Sequence, residues 1–343
     1  MSLEVIYVTR HGFRSSWSVD HVTGTYTAYL RSPTGLPTDP ALTSHGVEQA
    51  GDLAEHLLGL NQPIDQVYSS PYYRCLQTIS PFISGRNSVQ NKTSKLSIRV
   101  ESGLSEWYGR AHFEHPTSAP LSDLSVLFAD LDANYASSAG PHRHGESISQ
   151  LYERVASCIQ AIITRSDQEG KKAVLICTHA AVVIALGRIL TGKVPEDVSV
   201  EDFGAFTCGL SVYRRQGVDE DRHIVAATNR VAPIGGHVQK YANIRNVMQS
   251  LDSRSPALDS RGPARPRFEQ RRGFSLSSHW TCEVNSDCSF LRGGEERGWR
   301  FSGDESFVEV NRGGLLSSAL ESDSNAAVEK DGDSSSSNGA SKL

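Results

Sequence analysis

Val8-Thr9-Arg10-His11-Gly12-Phe13-Arg14 decides how the rest of this chain is read. It ends an apolar run, residues 3–8, and such a run, bounded at once by a Gly and two Arg, predicts a buried strand that opens into a loop. A His flanked by Arg is costly to hold together, because positive charges depress a neighbouring imidazole and repel one another. An anion resolves the conflict. A phosphoryl group suits it best, since a neutral imidazole can attack phosphorus while guanidinium forks grip the non-bridging oxygens. On these residues alone a turn carrying a few surface charges is an equal reading, and the distant partners decide between the two.

The chain has 343 residues, 38% hydrophobic and 21% charged, enough for one large or two medium domains with a real core. The formal net charge is −5 and no long basic run occurs, so direct nucleic-acid binding is not expected. No apolar run reaches the ~18 residues of a membrane span, and the first residues resemble neither a signal nor a transit peptide. A soluble protein of the cytoplasm, the nucleus or both is therefore expected. Six scattered cysteines read as free thiols, four of them in apolar segments, and Cys282 and Cys288 lack zinc-site spacing. No metal and no cofactor is expected.

Periodicity places the remaining candidates. Residues 15–39, rich in Ser, Thr, Tyr, Gly and Pro, read as a long loop over the site. Thr43 caps a helix with Val47, Ala50, Leu53, Ala54, Leu57 and Leu58 on one face. A strand at residues 64–68 ends in Ser69-Ser70-Pro71, and Arg74 falls in the first turn of the next helix, where free N–H groups and the dipole favour an anion. A strand at residues 96–100 leads to Glu106, beside Trp107 and Tyr108. That setting suits a carboxyl of raised pKa serving as proton donor, although a solvated loop Glu is the commoner case. Residues 111–145 are irregular, with a short amphipathic piece at 121–131, and read as part of a pocket wall. Gly145-Glu146-Ser147 opens a long helix presenting Ile148, Leu151, Val155, Cys158, Ile159 and Ile162.

The run Lys172-Ala173-Val174-Leu175-Ile176-Cys177 predicts a second buried strand, with His179 at its carboxyl end as His11 is at the first. Strands at 206–213 and 223–228 fit an antiparallel edge. Alternating strands and helices argue for a three-layer α/β/α domain over residues 1–251. Residues 252–272 carry six Arg, three acids and three Pro without apolar periodicity, as a flexible linker does. Residues 273–310 regain aromatic mass, with Asn285-Ser286-Asp287 and Gly293-Gly294 as turns, and are expected to dock back on the domain. Residues 311–343 read as a disordered acidic, Ser-rich tail.

Arg10-His11-Gly12, Leu42-Thr43 with Gly46 and Gln49-Ala50, Ser70-Pro71 with Arg74 and Gln77-Thr78, Leu104 with Glu106, and Thr178-His179 follow one order. It resembles the pattern of the histidine phosphatase superfamily, over roughly residues 3–229. That resemblance implies a phosphoglycerate-mutase-like, mostly parallel sheet. It implies His11 as nucleophile, Arg10 and Arg74 as phosphate clamps, His179 as second imidazole and Glu106 as proton donor. Arg14 joins Arg10, Arg74 and His179 in binding substrate. Arg10-His11-Gly12-Phe13-Arg14 and Gly103-Leu104-Ser105-Glu106-Trp107 look most like the branch holding tyrosine phosphatases with ubiquitin-associated and SH3 domains and a tau subunit of the RNA polymerase III factor TFIIIC. Where the superfamily often has an acidic residue after His-Gly, this chain has Phe13. The implied function is a metal-independent phosphomonoesterase working through phosphohistidine, on a small phosphate ester or a phosphopeptide. A phosphoglycerate-type mutase and a regulatory subunit partnering other transcription-complex subunits are the alternatives.

Overall fold

The computed structural model describes residues 2–89, 95–217 and 280–303. Its centre is a six-stranded sheet in the order β5-β4-β6-β1-β7-β8. Strands β1 (Val5–Arg10), β4 (Gln66–Ser69), β5 (Ile98–Val100) and β6 (Ala173–Thr178) run parallel, while β7 (Leu210–Arg215) lies antiparallel to both β1 and β8 (Trp280–Asp287). Every residue of β1, β4 and β6 is buried, which is why these strands read as continuous apolar runs rather than alternating ones.

Helices cover both faces. On one, α4 (Ile148–Gln168) and α5 (Ala180–Thr191) pack Val155, Ile159, Val182 and Leu186 against Ile6, Val8, Val174 and Ile176. On the other, α1 (Ser44–Leu58) and α2 (Tyr73–Val89) pack Leu53, Leu57, Leu76 and Ile79 against Val5, Tyr7, Val67 and Leu175. The layers are those of an α/β/α fold with a mostly parallel sheet. Caps fix where the helices begin. The Thr43 side chain accepts from the Gly46 N–H, and Ser147 forms a reciprocal capping box with Gln150. Helix α5 is apolar all round, with eleven of its twelve residues buried, as a helix sandwiched between sheet and neighbours must be.

Four expectations need correction. Residues 15–39 are not all loop: Trp17–Asp20 (β2) and Thr25–Ala28 (β3) form an antiparallel hairpin. Its turn is held by Asp20, whose carboxylate accepts from the Val22 and Thr23 N–H groups, and by Gly24 at φ 69°. Val47 and Leu58 of α1 are exposed, so the apolar stripe is narrower than its sequence spacing suggests. The amphipathic piece at 121–131 is helical only over Leu121–Leu127 (α3). Asn285-Ser286-Asp287 is not a turn but the irregular end of β8, where Ser286 adopts φ 51° and the register with β7 shifts. The expected strand at 223–228, the linker at 252–272 and the tail at 311–343 lie outside the described residues.

Residues 280–303 supply the outer strand, pack Cys288, Phe290 and Leu291 on the α1 side, and end with Phe301 on the α4–α5 side. Phe301 is buried between Trp107 and Trp299. Phe290 stacks on His56, ring centroids 4.2 Å apart, and Arg292 forks onto Asp52 at 2.9 and 3.0 Å. Ending the chain before Trp280 is expected to lower the melting temperature or cause aggregation, because β7 is then left as an unpaired edge over an opened core. Phe301→Ala alone is expected to cost about 3–5 kcal/mol in urea denaturation, the range for emptying a buried aromatic site. Melting identical to that of the full chain would contradict the structural role of this segment.

Candidate active site

The strand register builds the site. Arg10 pairs with Thr178 across β1 and β6, so His11 and His179 are the next residues on two adjacent parallel strands. Their rings meet edge to face with centroids 5.3 Å apart. Ser69 pairs with Cys177 on one side and Val100 on the other, which brings Ser70, the start of α2 and the Ser102–Leu104 turn to the same sheet end. Sites of open α/β sheets assemble at such carboxyl ends.

The loop after β1 is pinned by its neighbours. Gly12 donates its N–H to Thr78 Oγ1 at 2.9 Å, and Phe13 donates to Gln49 Oε1 at 2.9 Å. Gly46 must be glycine, because a Cβ there would stand 2.0 Å from the Phe13 carbonyl oxygen. His11 itself is buried and its Nδ1 lies 2.8 Å from the Gly12 carbonyl oxygen. A carbonyl only accepts, so Nδ1 carries the hydrogen and Nε2 keeps a lone pair. Burial, followed by the charges of Arg74, Arg10, His179 and Arg14, holds this imidazole well below its usual value. A depressed histidine contributes stability that is present above the unfolded value of about 6.5 and is lost as pH falls from there toward the folded value.

Arg74 is the hub. It is wholly buried, and Nη1 donates to the Thr38 carbonyl at 2.9 Å and to Asp39 Oδ1 at 3.3 Å. Nη2 donates to Glu106 Oε2 at 3.1 Å and approaches His179 Nδ1 at 3.1 Å. His179 Nδ1 also lies 3.2 Å from Glu106 Oε2, and its Nε2 lies 2.7 Å from Ser70 Oγ. As a neutral ring, His179 accepts from Arg74 and donates to Ser70; as an imidazolium it donates to Glu106. Burial pushes it down, the Cys75 sulfur and the Glu106 carboxylate push it up, and the net direction is up.

Glu106 departs from expectation. Burial pushes its carboxyl up, but the charge and hydrogen bond of His179, with Arg74 and Arg14 behind them, outweigh burial and hold it far below the usual carboxylate range. Before substrate binds it is a carboxylate and not a poised acid. Its neighbours Trp107 and Tyr108 are aromatic as the sequence shows, yet the cations opposite decide its state.

All six expected residues gather here. Arg10 Nη1 donates to the Ala205 carbonyl at 2.8 Å and to the Arg297 carbonyl, and Arg14 lies against the Trp17 ring at 5.9 Å. Several participants were not singled out by sequence. Asp39 is fully buried, accepts from the Tyr73 N–H at 2.8 Å and anchors Arg74. Burial raises its carboxyl more than Arg74 lowers it. Its only sequence signal was an acidic residue against Pro40 at the end of a presumed loop. Ser70 and Arg297 were likewise quoted or passed over without a role. Next to Ser105 and Tyr108, which flank the Glu106–Trp107 pair, a cavity of about 170 Å³ open to solvent is lined by Tyr72, Tyr108, Ser105, His115, Pro141 and Arg143, so the irregular 111–145 stretch does form a wall of it. Tyr72 belongs to both, its ring edge-to-face with His179 and the centroids 5.1 Å apart.

One atom each of His11, Glu106 and His179 lies within 4.8 Å of the others, a set able by spacing to hold a metal ion. Arg74, bonded to two of the three, opposes a cation there and favours an anion.

The mostly parallel α/β/α sheet thus carries two imidazoles and three arginines at its carboxyl end. The Histidine phosphatase superfamily (branch 1) matches residues 6–226, and the chain belongs to that family. It is 27% identical over 305 residues to the transcription factor tau 55 kDa subunit of Saccharomyces cerevisiae, covering 88% of this chain and 59% of that protein. It is 30% identical over 220 residues to the ecdysteroid-phosphate phosphatase of Drosophila melanogaster, covering 57% of this chain and 28% of that one. The matched part of the chain thus spans 59% of the first of these relatives and 28% of the second. A solved structure of the ecdysone phosphate phosphatase from Bombix mori overlays with a TM-score of 0.45 at 21% identity, over 62% of this chain and 89% of that one.

Asp39→Ala is expected to destabilise the fold by about 3 kcal/mol, the lower end for breaking a buried ion pair, since Glu106 still accepts from Arg74. Urea denaturation at neutral pH measures it. A change below about 0.5 kcal/mol, the scale of ordinary surface substitutions, would show that Asp39 does not anchor Arg74.

Proposed function

We propose that this chain hydrolyses phosphomonoesters through a phosphohistidine intermediate. The observation that carries the reading is His11 held neutral, Nδ1 tied to the Gly12 carbonyl, among Arg10, Arg14 and Arg74. His11 Nε2 attacks phosphorus and forms the N–P bond as the bond to the leaving oxygen breaks. Arg10, Arg14, Arg74 and His179 hold the equatorial oxygens, where charge spreads in the transition state. A dianion bound at Arg74 and His179 takes up the two groups that depress Glu106, and its own charge raises the carboxyl further, so Glu106 gains the proton it gives to the leaving oxygen. Glu106, again a carboxylate, then accepts a proton from the water that attacks phosphorus and frees His11.

The solvent-open cavity lined by Tyr72, Tyr108 and His115 adjoins the site through Tyr72, and its two phenols and imidazole would suit an aromatic leaving group such as that of phosphotyrosine. A second reading, a non-enzymatic or regulatory subunit among transcription-complex partners, is favoured by one observation. The likeness to the tau 55 kDa subunit runs over 305 residues, whereas that to the ecdysteroid-phosphate phosphatase stops at 220.

His11→Ala is expected to cut turnover of p-nitrophenyl phosphate or a phosphotyrosine peptide by more than about 10³-fold, exceeding the 10²–10³ typical of one lost transition-state hydrogen bond. The variant should still melt within a few degrees of wild type. Rapid quench of wild type should trap an acid-labile phosphoenzyme at His11. Substantial residual activity in the variant, or no phosphoenzyme during turnover, would exclude the covalent route.

A further inference from the structure

The residues that reach this site last in sequence come from the far side of the chain. Thr207 donates its N–H to the Glu296 carbonyl at 3.1 Å, and Gln49 Nε2 donates to Glu296 Oε2 at 2.7 Å, with His45 Nε2 2.6 Å from the same oxygen. These contacts deliver Arg297 to the loop that carries His11. Arg297 then touches that loop three ways. Its carbonyl accepts from Arg10 Nη1, its Nη1 donates to the Arg14 carbonyl at 3.3 Å, and its guanidinium carbon lies 3.9 Å from the centre of the Phe13 ring. Its backbone adopts φ 47°, a left-handed conformation that a branched-chain-free but non-glycine residue takes only when its surroundings impose it.

A guanidinium laid on an aromatic face is held in place by that face while keeping N–H edges available for an anion. Arg297 is half-buried, and among the described residues no carboxylate lies within 4.0 Å of it. Arg74, by contrast, has both Asp39 and Glu106. Among the described residues, then, Arg297 has no carboxylate partner of its own, and it lies against the loop that carries His11.

We infer that Arg297, seated on Phe13, is a specificity residue that binds a second anionic group carried by the substrate beside its phosphoester. The inference rests on the phosphomonoesterase reading for the position of the first anion. Phe13 is the platform, and the second anion is a carboxylate or phosphate on the leaving group or on an adjoining side chain.

Wild type, Arg297→Gln and Arg297→Lys are compared on two matched pairs: phenyl phosphate against 3-carboxyphenyl phosphate, and a phosphotyrosine peptide flanked by Asp against the same peptide flanked by Asn. The readouts are the kcat/KM ratio within each pair and the Kd ratio for the corresponding non-hydrolysable phosphonates. Wild type is expected to favour the doubly anionic partner by about tenfold or more, as one charge-assisted hydrogen bond supplies. Arg297→Gln should bring the ratio near one, and Arg297→Lys should keep part of it, having charge without the stacked fork. Preference in the peptide pair alone places the second anion on a flanking side chain; preference in both places it on the ring as well. No preference in wild type, or an unchanged preference in a folded Arg297→Gln, overturns the inference. Phosphonates bound with the Arg297-dependent preference while no phosphate ester is hydrolysed would sink the phosphomonoesterase reading and leave the role of Arg297 standing.

Discussion

Arg74 is the side chain on which the site's geometry depends. A guanidinium without solvent needs partners inside the protein, and the two Nη groups of Arg74 find them at Thr38 and Asp39 at the end of the 15–39 stretch, at Glu106 after β5 and at His179 after β6, while its Nε has none among the described residues. Three separate segments are thereby tied to one planar group in the first turn of α2. The charges of Arg74, Arg10, His179 and Arg14 act together on His11 as a positive surplus. That surplus keeps the imidazole neutral and leaves room for a dianion.

The same surplus reverses the expectation for Glu106. A carboxyl beside aromatic rings reads, in sequence, as a group whose charge is penalised. In space, His179 and Arg74 stand within 3.2 Å of its oxygen, and opposite charge at that distance outweighs desolvation. In the proposed reaction the acid function depends on the ligand: the anion that competes for Arg74 and His179 is the one whose leaving group needs the proton. On that proposal, substrate binding and proton supply are linked through one pair of contacts.

Much of this was legible beforehand because it follows from strand ends. His11 and His179 each follow an unbroken apolar run, and parallel pairing of those runs places them side by side. Arg74 follows a Ser-Pro break at a third strand end. What was not legible are contacts of long sequence separation with no local signature. Asp39 looks like any loop acid until its burial against Arg74 is seen, and the β2–β3 hairpin is hidden by short strands of exposed Thr, Ser and Asp. Residues 280–303 carried aromatic mass but no sign that they complete the sheet, because β8 pairs with a strand far back in the chain and its irregular end contains turn-forming residues. Arg297 could not be placed at all without knowing that its carbonyl meets Arg10.

The central claim is that the chain holds His11 neutral, as the Nδ1–H tautomer, inside a cationic cradle. Nitrogen-15 NMR of selectively labelled histidine, assigned with His11→Ala and followed across pH, observes both features directly. The account predicts an His11 ring that stays neutral with hydrogen on Nδ1 down to pH values below the ordinary imidazole pKa of about 6.5. Inorganic phosphate, by placing negative charge beside the ring, should then shift its titration upward. An His11 that titrates at or above the ordinary value, or that carries its hydrogen on Nε2 at neutral pH, would contradict the account.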